Sequence, residues 1–383
     1  MAKYKSIEEY RRKKRLKGFL KKILIVATIF GILLILLNVL EIFKGTQINE
    51  LINKDETKQE EKFPLIIKNE QMVDIVAFNN NIAVLTKADV LIYNSSGKKM
   101  NSFIHGYTNP VLQESNKRIL TYDRGGNKFR VDNSTGTVGE IQLKYNILTA
   151  KISRSGNIAV VTTHDRYACE IVVYNSNLKG EIYRYFSTEE ISTISFSEDE
   201  QSLLGGAITS SEGIISTNLY ELDITQEVDA KKTLIKDVLP LSIFYNDNNN
   251  IVIVGKDSVV TYNTNSNTEK RTIYKGTIQY FINSSSKQTI LVNKNPFNKY
   301  STVSVLSSDG VIIGNSDIND DVLDVYSDGS RIIVLCKTSV YNLDMTLKEL
   351  NRVELPKSMS KAVYTGENLY ILGADSIEKY KID

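Results

Sequence analysis

The hydrophobic and polar positions of the chain change pattern sharply between its first 62 residues and the rest. Residues 23–43 form one apolar stretch, of which the 18 residues from 23 to 40 carry no charge. A helix rises about 1.5 Å per residue, so this stretch covers most of a roughly 30 Å hydrocarbon core. We therefore predict one transmembrane helix over 23–43. Its membrane anchor residues include Ile23, Phe30, Leu37 and Phe43.

From residue 63 to the end of the chain, short apolar runs alternate with clusters of Asn, Asp, Gly and Ser. Three such runs are 73–78, 82–86 and 90–93, with turn residues between them. Runs of this length, rich in β-branched and aromatic residues and bounded by turn residues, are typical of strands. We predict a succession of strands and turns over 63–383, and no convincing helical period interrupts it.

One unit of this pattern recurs eight times. The first strands of the eight repeats begin at Val73, Val111, Leu148, Ile191, Leu241, Ile278, Val322 and Ser360. The spacing is about 40 residues, which is the size of a four-stranded propeller blade. The last repeat supplies only three strands, and the unassigned run 65–68 can complete it. Closing the ring with strands from both ends removes a free sheet edge. The sequence therefore predicts an all-β protein, a β-propeller of about eight four-stranded blades preceded by one transmembrane helix.

Two other architectures remain open on the sequence. The second and fourth repeats, around 125–130 and 205–209, are weak, so seven blades are an alternative. A pair of β-sandwiches would also account for the strands, but it would not explain the constant period.

The charges before the apolar stretch predict its orientation. Residues 1–22 contain ten Lys or Arg against two Glu. Basic residues next to a first span hold that side in the cytoplasm, which places the C-terminal body outside. The topology signal comprises Arg11, Arg12, Lys13, Lys14, Arg15, Lys17, Lys21 and Lys22. We thus expect a single-pass cell-membrane protein with a cytoplasmic N-terminus and an extracellular C-terminal domain.

The domain organisation follows from these patterns. Residues 1–22 form a basic cytoplasmic head, 23–43 the transmembrane helix, 44–62 a charged stalk and 63–383 an extracytoplasmic β-propeller. A cleaved signal peptide is the competing interpretation. The apolar run is longer than the usual 7–15 residues of such a signal, and no small-x-small cleavage site follows it.

Composition narrows the class of partner. The chain has 47 basic and 45 acidic residues, and without the head 37 and 43 remain. A mildly acidic body has no overall charge that would draw it to nucleic acid. The only cysteines, Cys169 and Cys336, stand in apolar strand-like runs, so we expect two unpaired core thiols.

Catalytic and metal-binding motifs are missing from the sequence. It has no Trp, Gly-x-Ser-x-Gly, His-Glu-x-x-His or phosphate-binding glycine loop. His164 lies beside Asp165, but adjacent residues on a strand point to opposite faces, so we expect a surface turn there. The segment 317–321 resembles the start of an EF-hand, but Val322 stands where that loop needs Gly. We expect an inter-blade loop, and we assign no catalytic residue, metal or cofactor.

Tyrosine is the one abundant residue type with binding potential. Many of the 21 tyrosines fall at strand ends, where they serve either as packing aromatics or as binding anchors on a rim or funnel. The first candidates for anchors are Tyr107, Tyr145 and Tyr300.

The turns between first and second strands carry a resemblance to known propellers. These turns are 153–157, 197–200, 246–249 and 327–330, and the last reads Ser-Asp-Gly-Ser. They are similar to the Ser-x-Asp-Gly turns of TolB and WD40-like propellers. With its basic head, single span and charged stalk, the chain resembles a family of membrane-anchored β-propeller proteins of Gram-positive bacteria, a domain of unknown function. The resemblance implies the fold and brings no catalytic residues.

Three functions are compatible with these observations. The leading hypothesis is a non-catalytic, membrane-tethered propeller that binds a protein partner on the outer face of the cytoplasmic membrane. The second is a sensor or binder of an extracellular small molecule or cell-wall glycan. The third is a glycan-acting enzyme, in which paired carboxylates about 5–10 Å apart would line the funnel.

Overall fold

The structure is a computed structural model of the whole chain, and residues 62–383 form a compact unit of their own. It describes residues 63–67, 71–247, 249–284, 286–295, 297, 300–356, 359–365 and 368–381. No helix within these ranges is long and apolar enough to cross a bilayer. The predicted head, transmembrane helix and stalk, with their anchor and topology residues, lie outside the described residues and stay predictions.

The described residues form thirty-two strands in eight four-stranded antiparallel sheets. The first strand, β1, spans Leu65–Ile66. Blade 1 contains β2 (Met72–Phe78), β3 (Asn81–Thr86), β4 (Asp89–Tyr93) and β5 (Lys99–Ile104). Blade 2 contains β6 (Pro110–Ser115), β7 (Arg118–Asp123), β8 (Lys128–Asn133) and β9 (Thr137–Gln142). Blade 3 contains β10 (Ile147–Ile152), β11 (Ile158–Thr162), β12 (Cys169–Tyr174) and β13 (Glu181–Ser187).

The next four blades repeat the same antiparallel order. Blade 4 contains β14 (Ile191–Phe196), β15 (Ser202–Ser211), β16 (Ile214–Asp223) and β17 (Lys231–Ile235). Blade 5 contains β18 (Pro240–Tyr245), β19 (Asn250–Gly255), β20 (Ser258–Asn263) and β21 (Thr268–Ile273). Blade 6 contains β22 (Thr277–Asn283), β23 (Thr289–Lys294), β24 (Ser301–Leu306) and β25 (Ile312–Ile318). Blade 7 contains β26 (Val322–Ser327), β27 (Arg331–Cys336), β28 (Ser339–Asp344) and β29 (Glu349–Glu354).

Blade 8 is built from both ends of the described chain. It contains β30 (Lys361–Tyr364), β31 (Asn368–Leu372) and β32 (Ser376–Lys381), and β1 is its fourth strand. Leu65 pairs with Ile377 on β32, and the Ile67 amide donates to the Asp375 carbonyl at 3.0 Å. The predicted closure is therefore confirmed, and the alternatives of seven blades and of two sandwiches are wrong.

The first strand of each blade lies nearest the central axis. First strands of neighbouring blades contact one another around most of the ring, as β10 contacts β14 and β14 contacts β18, and β30 contacts both β26 and β2, which closes the ring. We call the strands of a blade A to D from the axis outward. Because they are antiparallel, the A–B and C–D turns lie on one face of the ring, and the B–C turns and D–A connections lie on the other.

Hydrophobic cores lie between successive blades. One cluster joins Val161 and Ile171 of blade 3 to Ile191 and Leu222 of blade 4. The register explains this, because the side chains of a strand alternate between the two faces of its sheet and each face is covered by a neighbouring blade. The central strands of the blades are therefore largely buried, as in Ile158–Thr162, which is buried at every position.

The turns singled out in the sequence do connect A strands to B strands. In blade 3 the Ser153 amide donates to the Asn157 carbonyl at 2.8 Å, and in blade 7 the Ser327 hydroxyl donates to the Arg331 carbonyl at 2.8 Å. A serine at the first turn position thus fixes the turn through its own hydroxyl, which is the reason such positions favour Ser, Asn and Asp.

Candidate functional site

The most distinctive feature of the ring is the hairpin that joins β15 to β16 in blade 4. Each of these strands has ten residues, whereas the other B and C strands have five or six. The inner neighbour β14 pairs with β15 only as far as Ala207, and the outer neighbour β17 pairs with β16 only from Thr217. The segment 208–216, which we call the hairpin tip, therefore extends beyond its sheet on the B–C face.

A two-residue turn closes the hairpin tip. Ser211 pairs with Ile214, and the intervening Glu212 and Gly213 have φ of +54° and +79°. Positive φ at both central positions is the type I′ geometry, whose twist matches that of the flanking strands. The Nζ of Lys236, in the loop after β17, lies 3.4 Å from Glu212 Oε2, so the glutamate of the turn forms an ion pair.

Three isoleucines of the hairpin tip are exposed to solvent. Ile208, Ile214 and Ile215 retain 50%, 45% and 54% of their surface. Ile208 pairs with Thr217 and Ser210 with Ile215, so Ile208 and Ile215 are diagonal neighbours on one face of the hairpin, and Ile214 lies on the other. Large apolar side chains grouped at a protruding tip are typical of an interaction surface.

The strand edges of the hairpin tip are also unpaired. Beyond Ala207 on β15 and before Thr217 on β16, no strand of the described residues forms a ladder with either edge. An open edge presents backbone N–H and C=O groups on which an extended segment of another chain can add as a strand. The hairpin tip thus combines apolar side chains with free backbone edges.

The central axis contains charged side chains that connect neighbouring blades. Lys361 of blade 8 forms an ion pair with Asp74 of blade 1 at 2.7 Å. Asp324 of blade 7 accepts a hydrogen bond from the Ala362 amide of blade 8 at 3.0 Å. Burial raises the pKa of Asp324 to about 6, against the opposing effects of that hydrogen bond and of Lys361. The carboxylates of Asp74 and Asp324 thus both bond to groups on β30, the first strand of blade 8.

A cavity of about 630 Å³ opens on the A–B face between blades 3 and 6. Lys151 lies on the wall of this cavity, inside the channel, and makes no side-chain bond to any described residue. Burial lowers the pKa of Lys151, and so does the charge of Arg124. The two carboxylates of the cavity are engaged, Glu198 by Lys287 at 3.2 Å and Glu200 by the Ser155 amide at 2.7 Å. The cavity therefore has a basic side chain and aromatic residues on its walls, whereas both of its carboxylates are already bonded to neighbouring turns.

The three candidate tyrosines fall in three different loops on the B–C face. Tyr107 is buried, its ring lies 5.2 Å from that of His105, and burial raises its pKa. Tyr145 belongs to the connection between blades 2 and 3, where its ring lies 4.8 Å from that of His164. Tyr300 lies between β23 and β24 and is 41% exposed. Of the three, Tyr145 lines a cleft of about 390 Å³ between blades 2 and 3.

His164 lies in the turn between β11 and β12, as expected, but its relation to Asp165 differs from the prediction. Its Nδ1 lies 3.3 Å from Asp165 Oδ1, because the chain turns here and neighbouring side chains no longer alternate. The same Nδ1 accepts hydrogen bonds from the amides of Arg166 at 3.1 Å and Tyr167 at 3.3 Å. A nitrogen that accepts two amide hydrogens stabilises the turn rather than acting as a base.

The two cysteines and the segment 317–321, which the sequence also singled out, contribute to the fold. Cys169 and Cys336 are buried free thiols, as predicted, and burial raises the pKa of Cys336 to about 12. Asp317 lies within strand β25 and accepts a hydrogen bond from the Thr302 hydroxyl at 2.7 Å, whereas Asp320 lies in the inter-blade loop and accepts one from the Thr338 hydroxyl at 2.8 Å. No group of three or more metal-ligating side chains occurs within the described residues.

Sequence reasoning missed the hairpin tip. The fourth repeat was weak because Gly205 and Gly206 replace large apolar residues in the middle of β15. A Cβ at Gly206 would lie 2.9 Å from Thr193 and 3.3 Å from Ile243, so side chains of neighbouring strands fill that space. The dipeptide Glu212-Gly213 between two apolar runs was the available hairpin signal.

These features define the class of protein: an eight-bladed β-propeller whose ring is closed by strands from both ends and whose most distinctive surface is a projecting hairpin. A family model matches residues 52–382, and the chain belongs to that family, a family of unknown function (DUF5711). No curated protein gives a significant sequence match.

Solved structures confirm the fold at low sequence identity. BamB from Moraxella catarrhalis is 10% identical with a TM-score of 0.54, over 82% of this chain and 99% of that protein's. AztD from Citrobacter koseri, in its apo form, is 9% identical with a TM-score of 0.52, over 76% and 87%. Kluyveromyces lactis Hsv2 is 12% identical with a TM-score of 0.51, over 75% and 100%. At such identities the likeness extends to the propeller fold alone.

Proposed function

We propose that this protein is a non-catalytic, membrane-tethered scaffold of a Gram-positive bacterium. Its propeller lies on the outer face of the cytoplasmic membrane and binds a protein partner through the hairpin tip. The observation that carries the proposal is the exposure of Ile208, Ile214 and Ile215 on a hairpin that extends beyond its sheet. The apolar stretch 23–43 and the basic residues before it support the tether and its orientation.

The partner contributes an extended segment with alternating apolar side chains. Such a segment pairs with the free edge of the hairpin tip through its backbone, while its side chains contact the exposed isoleucines. Both elements of this recognition mode, an open strand edge and an apolar face, are present between residues 208 and 216.

The open strand edge favours a protein over lipid as the occupant. No strand of the described residues pairs with the edges of the hairpin tip beyond Ala207 and before Thr217. An extended peptide can hydrogen-bond to these backbone groups, whereas acyl chains cannot. The outermost turn is also polar, since it carries Ser211 and the ion pair between Glu212 and Lys236.

Site-specific photocrosslinking in cells tests the partner. A benzophenone amino acid placed at position 215 of the full-length protein is expected to give one reproducible protein adduct, which mass spectrometry identifies. The triple substitution Ile208→Ser, Ile214→Ser and Ile215→Ser is then expected to abolish co-purification of that protein. A control carries Ser at three exposed isoleucines in other blades, Ile104, Ile273 and Ile313, which retain 79%, 74% and 52% of their surface.

The outcomes separate protein binding from the alternatives. Co-purification that survives the hairpin triple, or is lost equally in the control triple, would place the partner elsewhere and refute the proposal. A crosslink to lipid alone would assign the hairpin tip to the membrane instead.

Protease treatment of intact protoplasts tests the topology. The proposed orientation predicts that added protease digests the propeller and spares a fragment containing residues 1–22. Protection of the propeller in intact protoplasts, with digestion only after lysis, would contradict it.

A further inference from the structure

A second candidate site lies in a cleft between blades 2 and 3. The cleft has a volume of about 390 Å³, within the range of small-ligand sites. It runs along the blade interface, from the loops on the B–C face toward the beginning of β13. Its polar and aromatic lining residues include Lys144, Tyr145, His164, Glu170, Glu181, Arg184 and Phe186.

The strand register places the floor residues of this cleft on one face. On β12 and β13, Glu170 pairs with Phe186 and Val172 with Arg184, so these four side chains point to the same side of blade 3. That side is turned toward blade 2, since Val172 packs in the core shared with blade 2. The cleft is thus part of the folded interface rather than a gap between loops.

Four aromatic rings form a cluster at one end of the cleft. The His164 ring is at its centre, with ring centroids 4.8 Å from Tyr145, 5.3 Å from Tyr167 and 5.2 Å from Phe186. Phe186 also stacks on Tyr167, at 5.0 Å and an interplanar angle of 28°. Both Phe186 and Tyr167 keep about two fifths of their surface exposed, at 40% and 43%. The cluster therefore presents a supported aromatic platform to solvent.

Charged groups at the cleft compensate one another. Arg184 forms ion pairs with the buried Glu170 and with Glu181, the latter at 2.6 Å. Lys144 donates to the Tyr145 hydroxyl at 2.6 Å and lies 3.6 Å from Asp165. The hydroxyl of Tyr145 also holds the pKa of Asp165 below its ordinary range. The site consequently offers many hydrogen-bonding atoms without an uncompensated charge.

We infer that this cleft binds a neutral saccharide. A pyranose ring has an apolar C–H face that packs on an aromatic ring and a rim of hydroxyls that exchange hydrogen bonds with carboxylates and guanidinium groups. Phe186 and Tyr145 supply the first kind of contact, and Glu170, Glu181 and Arg184 supply the second. The lining residues on β13 extend from Glu181 to Phe186, a length that favours an oligosaccharide over a single ring.

The same residues argue against charged small ligands. An aromatic cluster can bind a quaternary ammonium ion, but here the Lys144 ammonium already lies 4.5 Å from the Tyr145 ring centre and Arg184 lines the same cleft. An anion would find both bases of the cleft already engaged, Arg184 by Glu170 and Glu181, and Lys144 by Asp165. A neutral ligand avoids both conflicts.

Calorimetric titration of the purified full-length protein tests the inference. The probes are the β-1,4-linked tetramers of N-acetylglucosamine and of glucose, with tetramethylammonium and inorganic phosphate as charged comparisons. We expect saturable binding of at least one tetramer and none of the ions. Phe186→Ala, which removes one stacking ring, is expected to weaken it about tenfold. Phe297→Ala removes an aromatic ring that is 95% exposed in blade 6 and serves as the control.

The alternative role of the cluster is to pack the turn 163–168 against β13. In that case Phe186→Ala lowers the melting temperature, neither tetramer binds, and a wider panel of neutral oligosaccharides shows no difference between the wild type and the variant. That result overturns the inference, as does binding that Phe186→Ala leaves unchanged. Binding of tetramethylammonium or phosphate in place of sugar would also overturn it.

Discussion

The closure of the ring by β1 makes a quantitative prediction about stability. Leu65 and Ile67 are 8% and 7% exposed and belong to one cluster with Ile75 of blade 1 and Ile377 of blade 8. Between them lies Ile66, which faces solvent with 61% of its surface exposed. The perturbation is the double substitution Leu65→Ala and Ile67→Ala in the full-length chain, and Ile66→Ala is a control in the same strand.

The expected magnitude follows from burial. Replacing a buried Leu or Ile by Ala costs about 2–5 kcal/mol, and the lower end applies where the site can relax, as at an edge strand of two residues. The double variant should therefore lose roughly 4–6 kcal/mol of unfolding free energy. Domains are stable by only about 5–15 kcal/mol, so this is a large fraction of the total. Ile66→Ala should stay within about 0.5 kcal/mol of the wild type.

Urea unfolding of the purified full-length protein measures the difference. The chain has no Trp, so far-ultraviolet circular dichroism and tyrosine fluorescence are the two signals. Agreement between their midpoints tests whether the ring unfolds in one step. If the double variant and Ile66→Ala share the wild-type midpoint, then β1 adds to blade 8 without stabilising the ring, and the closure argument is refuted.

Two further predictions use the same unfolding assay. Asp324 has its folded-state pKa raised from 3.8 to about 6, so its favourable contribution is complete below pH 3.8 and is lost as the pH rises through 6. Asp324→Asn should therefore stabilise the protein at pH 7 by about 1–3 kcal/mol and have little effect at pH 4; equal effects at both pH values would contradict this. Gly276 has a φ of +95°, and a Cβ there would lie 2.2 Å from the Lys294 carbonyl oxygen. Gly276→Ala should cost roughly 2–4 kcal/mol, whereas Gly136→Ala, with open space around it, should cost under about 1 kcal/mol; similar midpoints for the two would show that the backbone shifts freely.

The fold was predictable because its signal is repeated. Each blade contributes the same order of an opening strand, a polar turn and a buried apolar strand, so a weak copy such as the one around Gly205 does not hide the period. The position of β1 followed from counting, because the last repeat lacked a strand and 65–68 had no other place. Local geometry was not predictable in the same way. Six of the eight A strands contain a bulge, as between Met72 and Asp74, and no residue type marks it.

The candidate sites were less predictable because each occurs once. The exposure of Ile208 and Ile215 depends on how far the neighbouring strands β14 and β17 extend, and an apolar run that is buried has the same sequence pattern as one that is exposed. Tyr145 was a candidate from its place at a strand end. Phe186 was not, since its role depends on the partner strand β12 and on the loop that carries His164.

The two proposed sites lie in different blades of the ring and can be tested separately. The hairpin tip belongs to blade 4 and the saccharide cleft to blade 3, and the hairpin tip and the aromatic end of the cleft both lie on the B–C face. A partner bound at Ile215 and a saccharide bound at Phe186 therefore contact different residues. The hairpin triple and Phe186→Ala consequently separate the two functions, since each substitution removes one surface and leaves the lining of the other intact.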